Sequence, residues 1–494
     1  MANPHYKTYQ FRDKHLGTGD TLRLQIIFKI NLEGENSTVT AEDEEIYLSD
    51  AGYKEEEFDL QNLLLSIAFY SPKLSVPEGS EFEKYLFNDD EEPYKSTEKN
   101  FQVVLDIKYN GETEFENEIT ANVIEDSIEY DPETTYLRFE AAPDTEILNR
   151  TMLYGLNDIA GRPGEKVRLN PLGYDDPINY STNPISYPSE FYKKLKVVIT
   201  DIFKKVDSTI TENDLYFYHD WLMAGYYVDV ESDKHFDFEI PLEEVSVCTT
   251  PLFFRPDYGL NNLGDVLRKL AIDFGCFTGM LGNKKPFFKK LFSQNILDIY
   301  DLDDDSYVER KKAYRLHLVK YVRILARWTS TVFGYSYEWA FHAPNEEAFT
   351  QLENTYIDRD SLVVAHTMPN GFTGPPLWTG LIRATNLLVS RTDPTRLYFI
   401  FALKSPEIEY TTSSPDWYNF DEGLSYVPAG KVLADFWYKN RGRITNSRID
   451  PIIAMGLRHS ILKNPRFKGK VYQPVRVRKI YKEGITEIDG MIVN

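Results

Sequence analysis

Residues 195–206 read Leu-Lys-Val-Val-Ile-Thr-Asp-Ile-Phe-Lys-Lys-Val and carry the clearest periodicity in the chain. Apolar side chains recur there every third or fourth residue, from Leu195 through Ile199 and Phe203 to Val206, with charged residues between them. This spacing places one apolar stripe along one face of an α-helix. We therefore predict an amphipathic helix over 195–206. Strands and loops precede it, and a second helix, aromatic loops and a final hairpin follow it.

Alternating apolar and polar residues predict β-strands on both sides of this helix. The pattern is strongest over Leu22–Leu32, and Asn110-Gly111 is a hairpin turn between the strands Phe101–Ile107 and Phe115–Ile124. Further predicted strands lie at 136–139, 215–218 and 396–403, and a final hairpin begins at Val471, turns at Glu483-Gly484 and returns over 485–493. We also predict a strand or short helix within 58–70, a helical turn at 144–149, and a helix over 262–274 that ends at Gly275.

The order of these elements predicts an α+β chain that is predominantly β. We expect tube-type β-barrel or sandwich domains at both ends and a mixed α/β domain between them. The predicted boundaries are an N-terminal β domain at 1–160, a linker at 161–190, a mixed domain at 191–335 and a C-terminal β-rich domain at 336–494. The linker is rich in Gly, Pro, Asn and Ser, which favours irregular structure. The last domain holds long aromatic loops and the terminal hairpin.

Composition excludes several classes of protein. The 494 residues include 34 Tyr and 30 Phe and carry a formal net charge of −22, which disfavours nucleic-acid binding because phosphate neutralisation requires basic residues. The first residues contain no apolar leader and no stretch is long enough to span a membrane, so we expect a chain folded in a cytoplasm. Cys248 and Cys276 form no CxxC pair and are predicted to be reduced residues in or near cores.

Charge is distributed unevenly along the sequence. The first 150 residues are acidic, with runs at 42–45 and 55–57 that we interpret as solvated loops, whereas basic residues outnumber acidic ones about threefold from Gly442 onwards. Surfaces of opposite sign suit contacts between copies or with different partners, although uneven charge without a role is equally compatible with the sequence.

Familiar catalytic and metal-binding motifs are absent or incomplete. Asp301 to Ser306 places oxygens as a calcium loop does, but Ser306 and Lys312 stand where an EF-hand needs Gly and Glu, so an acidic cap is favoured over a cation site. His219 and His342 stand alone and are interpreted as structural. The stretches at 17–19, 275–284 and 334–338 match neither a dinucleotide fingerprint, a P-loop nor a nucleophile elbow.

The chain has 77 carboxylates, and no sequence motif marks two of them as a catalytic pair. A carboxylate-based hydrolase is therefore kept only as an alternative. We therefore predict no catalytic residue, no cofactor, no metal site and no enzymatic activity.

Several segments, in their order along the chain, resemble the baseplate or tail-tip hub proteins of long-tailed bacteriophages. They are the hairpin 101–124, the segments 136–141 and 144–148, the helix 195–206, the helix and turn 263–279, and the ending Val475 to Ile488 with its Lys-Glu-Gly-Ile-Thr-Glu-Ile sequence. Together they cover about a third of the chain, and residues 340–430 have no counterpart.

The resemblance implies a ring-forming virion structural protein with a tail-tube-like fold. Such a hub adapts the tail tube to the tip, as a homo-oligomer in which a trimer is favoured and a hexamer possible, and contacts the tube and other tip or baseplate proteins. Genome DNA passes through the ring without specific binding, and an acidic lumen repels phosphates. The expected location is the tail of the virion, assembled in the host cytoplasm, and we expect no C-terminal peptidase or lysozyme domain.

Two other structural roles remain open at this point. One is a distal tail ring protein that carries fibres. The other is a host-surface or glycan-binding tail protein, for which Trp378, Trp417 and Tyr418 could stack on sugars, although the same aromatic residues could equally pack in a core or interface. The sequence leaves open the contractile or non-contractile nature of the tail, the lumen-facing residues and the host.

Overall fold

The computed structural model describes residues 5–30, 34–58, 63–87, 101–131, 133–156, 166–169, 171–173, 192–220, 222–229, 234–244, 246–248, 262–293, 295–303, 305–308, 321–329, 336–343, 361–367, 383–384, 401–402, 418–420, 426–428, 436, 439–440 and 449–493. Within these residues, α-helices with described bounds are α1 (Glu81–Phe87), α2 (Glu146–Arg150), α3 (Leu195–Phe203) and α4 (Leu263–Asp273). Short 3-10 helices lie at Ala41–Glu44, Glu125–Ser127, Leu242–Glu244 and Ile296–Asp298.

The strands dominate the described residues. Those of the first 142 residues are β1 (His5–Gln10), β2 (Lys14–His15), β3 (Thr21–Ile30), β4 (Ser37–Thr40), β5 (Tyr47–Leu48), β6 (Tyr53–Phe58), β7 (Leu65–Tyr70), β8 (Leu74–Ser75), β9 (Phe101–Lys108), β10 (Glu116–Val123), β11 (Glu129–Asp131), β12 (Tyr136–Arg138) and β13 (Glu140–Ala142). Those of residues 154–308 are β14 (Tyr154–Leu156), β15 (Lys166–Arg168), β16 (Tyr192–Lys194), β17 (Tyr216–Tyr218), β18 (Leu222–Asp229), β19 (Lys234–Pro241), β20 (Ser246–Cys248), β21 (Cys276–Met280), β22 (Pro286–Lys290), β23 (Ile299–Asp301) and β24 (Tyr307–Val308).

The remaining strands follow in chain order. They are β25 (Tyr321–Thr329), β26 (Ser336–Ala343), β27 (Ser361–Thr367), β28 (Arg383–Ala384), β29 (Phe401–Ala402), β30 (Tyr418–Phe420), β31 (Tyr426–Pro428), β32 (Ile449–Met455), β33 (Asn464–Phe467), β34 (Lys470–Ile480) and β35 (Ile485–Ile492). The prediction of a predominantly β, α+β fold is confirmed.

One sheet of 15 strands joins the two ends of the chain. Its main path runs β24-β32-β35-β34-β6-β7-β13-β10-β9-β3-β1-β4. Strand β34 lies between β35 and β6 and is antiparallel to both. Strands from the predicted domains 1–160 and 336–494 thus share one sheet. The boundaries at 160, 190 and 335 stay predictions.

The helix predicted over 195–206 is confirmed as α3, which ends at Phe203 and is followed by a turn. All of its predicted inward residues up to Phe203 are fully buried, namely Leu195, Val198, Ile199, Ile202 and Phe203. The helix predicted over 262–274 is α4, and Gly275 follows it with a φ of +61°. A left-handed residue at this position ends a helix, and glycine adopts it without steric cost.

The hairpin β21–β22 packs against the large sheet. Its Phe277 ring stacks on Phe58 of β6 with centroids 4.6 Å apart. The Thr278 N–H donates a hydrogen bond of 2.9 Å to the carbonyl of Leu63, beside the start of β7. In the segment 58–70, the described residues 63–70 contain strand β7 and no helix. The sequence alone left this choice open because short apolar runs lack a decisive period.

One interpretation of the sequence is wrong. The acidic run at 55–57 is not a solvated loop, because it lies within β6, and Glu56 is only 3% exposed. The strand predicted at 396–403 is described only over Phe401–Ala402, and the rest of that segment lies outside the described residues. The final hairpin predicted from Val471 onwards is confirmed as β34 and β35, and β34 begins at Lys470.

Replacing Phe203 with Asp tests the buried face of α3. A carboxylate in place of a fully buried ring loses the packing of the ring and desolvates a charge, at a cost above about 3 kcal/mol. We expect chemical denaturation to show this loss for Phe203→Asp. The matched control Lys205→Asp changes an exposed residue two positions later and should stay within about 0.5 kcal/mol of the parent. Equal stability of the two variants would show that the apolar face of α3 is exposed to solvent.

Candidate functional site

Four charged side chains are buried together where the first and last segments of the chain meet. Lys54 and Glu56 come from β6, Glu118 from β10 and Lys479 from β34. None of the four side chains is more than 8% exposed. Charged residues are seldom this buried unless they are paired, so the group forms one buried ion cluster.

Glu118 is the centre of this buried ion cluster. Its Oε1 atom lies 2.8 Å from Lys479 Nζ and also contacts Lys54 Nζ. Lys54 Nζ in turn lies 2.9 Å from Glu56 Oε1. The hydroxyl of Tyr109 donates a long hydrogen bond of 3.5 Å to Glu118 Oε2. Two lysines and two glutamates therefore balance, and the cluster has no net charge.

A β-bulge puts Glu118 in this position. Asn117 pairs with Asp106 and Ile119 pairs with Leu105, so Glu118 is the extra residue between two consecutive pairs of the β9–β10 ladder. A bulge of this kind redirects side chains that regular alternation would send elsewhere. Glu118 is 8% exposed, and its carboxylate reaches the lysines of two other strands.

The carboxylate of Glu118 allows a pairing that would otherwise be unfavourable. In the register of β34 and β6, Lys479 is directly opposite Lys54. Like charges at opposed positions of neighbouring strands repel each other, and burial strengthens the repulsion. Because Glu118 Oε1 contacts both ammonium groups, the two lysines can face the same interior. The register of β34 on β6 therefore depends on a residue of a third strand.

Burial and charge act in opposite directions on Glu118. Burial raises the pKa of its carboxyl, but the ammonium groups of Lys479 and Lys54 outweigh this effect and hold the pKa below its usual value. Glu118 therefore stays ionised at neutral pH. Glu56 Oε2 is buried and makes no hydrogen bond to the residues that the structure describes. A buried carboxylate oxygen without a hydrogen bond carries a desolvation cost, which the ion pairs of the cluster offset.

The opposite face of the same strands carries a ladder of ion pairs. Arg476 lies 2.9 Å from Asp489, and Arg478 lies 3.6 Å from Glu487 of β35. Both arginines also approach Glu55 of β6, at 3.7 and 3.8 Å. Basic residues of the last segment thus pair with acidic residues of the first one within the chain. A register shift of one residue would send these charges inward and the lysines outward.

A second buried ion pair joins β22 to the last segment. Lys289 is fully buried, and its Nζ atom lies 3.0 Å from Asp298 Oδ2 and contacts the carbonyl of Leu462. The hydroxyl of Tyr216 donates to both oxygens of Asp298, at 3.1 and 3.3 Å. Burial lowers the pKa of Lys289, and Asp298 opposes this shift. Strand β22 is therefore an interior strand that carries a paired charge.

The residues that the sequence analysis considered as possible catalytic, metal-binding or sugar-binding residues are not members of the buried ion cluster. His219 is structural, because its Nε2–H donates a 2.8 Å hydrogen bond to the carbonyl of Phe274. Cys276 is a buried free thiol. Asp301 lies 3.5 Å from Arg466. The side chains of His342, Cys248 and Tyr418, and residues Trp378 and Trp417, lie outside what the structure describes.

In the part of the chain that the structure describes, no group of three or more His, Cys, Asp or Glu side chains is placed to hold a metal ion. In the same residues, no helix combines the length and the apolar character that crossing a membrane requires.

Sequence reasoning missed all four members of the buried ion cluster. For Lys479 a signal existed, since Val475 and Val477 alternate with arginines and predict an inward position at 479. A lysine at that position requires a buried partner. No comparable signal marks Glu118, because the bulge that turns it inward breaks the period on which such reasoning rests.

The comparisons with known proteins add solved structures but no sequence relatives. No protein-family model and no curated protein matches the chain. Similar solved structures include prophage tail protein gp18 from Listeria monocytogenes EGD-e, with a TM-score of 0.33, 10% identity and coverage of 90% of this chain and 88% of that one.

Two further similar structures have comparable scores. The prophage MuSo2 43 kDa tail protein from Shewanella oneidensis has a TM-score of 0.35, 8% identity and coverage of 91% and 96% of the two chains. A tail protein from Neisseria meningitidis MC58 has a TM-score of 0.34, 6% identity and coverage of 90% and 95%.

Charge balance in the buried ion cluster predicts a non-additive pair of substitutions. Lys479→Met leaves one uncompensated buried carboxylate and should cost about 3–5 kcal/mol in the free energy of unfolding. Adding Glu118→Gln restores neutrality, since Lys54 and Glu56 remain, so the double variant should be more stable than Lys479→Met. Urea denaturation of the parent, both single variants and the double variant completes the cycle. Additive losses would show that the charges do not act together.

The buried histidine predicts a pH dependence. Burial, followed by the nearby Lys290, lowers the pKa of His219 to about 3. As pH falls below about 6.5, His219 becomes protonated in the unfolded chain but stays neutral in the folded chain. The free energy of unfolding therefore decreases by up to about 1.4 kcal/mol per pH unit. His219→Gln retains an N–H donor and should flatten this slope between about pH 7 and pH 5. The exposed control His15→Gln should leave the slope unchanged, and equal slopes for all three proteins would contradict the assignment.

Proposed function

We propose that this chain is a virion structural protein of a phage tail, a ring-forming hub of the tail tip or baseplate that adapts the tail tube to the tip. The observation that carries the proposal is spatial. The segments on which the sequence resemblance rests lie together: β9, β10, β13, β34 and β35 share one sheet, and α2 and α3 pack on α4. The α2–α4 contact includes a 2.9 Å hydrogen bond from Arg268 to Asn149.

The electrostatics support a role in which DNA passes without being held. The net charge of −22 repels phosphates, and several basic residues of the last segment are paired with carboxylates within the chain. Arg476, Arg478 and Lys479 pair with carboxylates of β6, β10 and β35, and Arg458 lies 2.6 Å from Glu112. In this proposal the ring lines the DNA passage, contacts the tail tube and other tip proteins, resides in the virion tail and has no enzymatic activity.

The chemistry of the described site favours a structural role over a hydrolase. A glycosidase needs one carboxyl group that can donate a proton and a second that is accessible to substrate. Glu118 is ionised and Glu56 is 3% exposed, and both contact a lysine. The ion cluster therefore stabilises the junction of strands in this proposal.

A glycan-binding tail protein is the second candidate, and one described surface bears on it. A cleft of about 360 Å³ is lined by Tyr53, Tyr70, Arg138 and Glu140, among others. Aromatic rings beside polar groups are suited to sugars. However, Tyr53 already stacks on Tyr70 at 4.3 Å and lies 4.0 Å from the guanidinium of Arg478. Its ring is thus engaged within the chain, which favours the hub.

Imaging and mass measurement of the purified full chain test the proposed hub. We expect mass photometry to show trimers, and electron-microscopy class averages to show rings with three copies around a central passage. A ring of six identical copies would instead support the distal tail ring that carries fibres. A monomer that binds a glycan array would support the host-surface protein, and both of these outcomes would overturn the hub.

A further inference from the structure

The hairpin β21–β22 approaches the large sheet so closely that two positions admit only glycine. A Cβ atom at Gly279 would lie 2.4 Å from Leu65 Cβ, and one at Gly282 would lie 2.5 Å from the carbonyl oxygen of Glu118. Neither distance leaves room for a side chain. The N–H of Thr120 donates a 2.9 Å hydrogen bond to the carbonyl of Gly282. The turn at 281–285 therefore rests on the β-bulge that contains Glu118.

Glu118 consequently has two sets of partners. Its carboxylate contacts Lys479 of β34 and Lys54 of β6. Its carbonyl oxygen accepts a 3.4 Å hydrogen bond from Lys54 Nζ and faces Gly282. As the extra residue of the bulge, Glu118 has no partner of its own in the β9–β10 ladder. Its position is determined instead by the ion cluster on one side and by the hairpin on the other. The lysine of β34 thus helps to hold the backbone on which the hairpin turn rests.

We propose that β34 and the β21–β22 hairpin are coupled through Glu118, so that the hairpin keeps its docked position only while β34 occupies the sheet. The contacts form one continuous path from Lys479 through the Glu118 carboxylate and its backbone to Gly282, and such paths carry coupling between sites. The coupling is conformational. When β34 pairs with β6, Lys479 fixes Glu118, and the bulge can then support the turn of the hairpin.

The coupling sets an order of events. Strand β34 follows the hairpin in the chain by many residues. Because the proposed coupling requires β34 in the sheet, the hairpin docks after β34 has been made and has paired with β6. Lys289 of β22 contacts the carbonyl of Leu462, which lies shortly before β34, and strengthens the same dependence. This inference does not require a ring, because every contact in it lies within one chain.

Hydrogen exchange on the full chain tests the coupling at a single reporter. The amide of Thr120 bonds to Gly282 and is protected only while the hairpin is docked. In Lys479→Met we expect this amide to exchange faster by roughly 5- to 150-fold, the range of typical coupling energies. The matched control Lys482→Met alters an exposed lysine three residues away and should leave Thr120 unchanged.

The reciprocal experiment keeps the proposal testable if Lys479→Met unfolds. Gly282→Ala displaces the turn while all four charges remain, and reciprocity predicts faster exchange for the amides of Lys479 and Ile480 in β34. Gly17→Ala is the control, because its Cβ would meet no atom within 4 Å. Parent-like exchange of β34 in Gly282→Ala would overturn the coupling. So would an unchanged Thr120 amide in a folded Lys479→Met protein.

Discussion

A single carboxylate, that of Glu118, allows two lysines to face each other inside the protein. Lys54 and Lys479 are opposed across β6 and β34, and an uncompensated pair of ammonium groups would not remain buried there. Strand β34 lies between β35 and β6, so this contact joins the first and last segments of the chain into one sheet. The ladder of arginine–carboxylate pairs on the other face of β34 reinforces the same register, because a shift of one residue would bury that ladder.

The charge asymmetry of the sequence acquires a different meaning in this arrangement. From the sequence, an acidic beginning and a basic end suit contacts between copies or with partners, and uneven charge without a role is equally compatible. In the structure, Arg476 and Arg478 meet Glu55, and Lys479 meets Glu118, within one molecule. These opposite charges serve the closure of the sheet. What remains is a strongly acidic protein, which suits the proposed passage of DNA through a ring.

The local elements could be read from the sequence because each depends on a repeat of side chains along a short segment. The stripe of 195–206 became α3, the alternation around Leu24 became β3, and Asn110-Gly111 became the turn between β9 and β10. The acidic run at 55–57 was misread for the same reason. Its residues contain no apolar alternation, and only their neighbours in space, Lys479 and Arg478, make a strand of that composition stable at this position.

The sequence by itself determined the segments with a clear repeat, such as α3, α4, β3 and the β9–β10 hairpin, together with the predominantly β character and the acidic net charge. These follow from periodicity and composition. Only the tertiary structure decided that β34 inserts next to β6, that a bulge turns Glu118 inward, and that the turn at Gly282 rests on that bulge. The reason is physical. Pairing between strands more than 400 residues apart depends on complementary charges and close backbone contacts, and these exist only once distant segments are side by side.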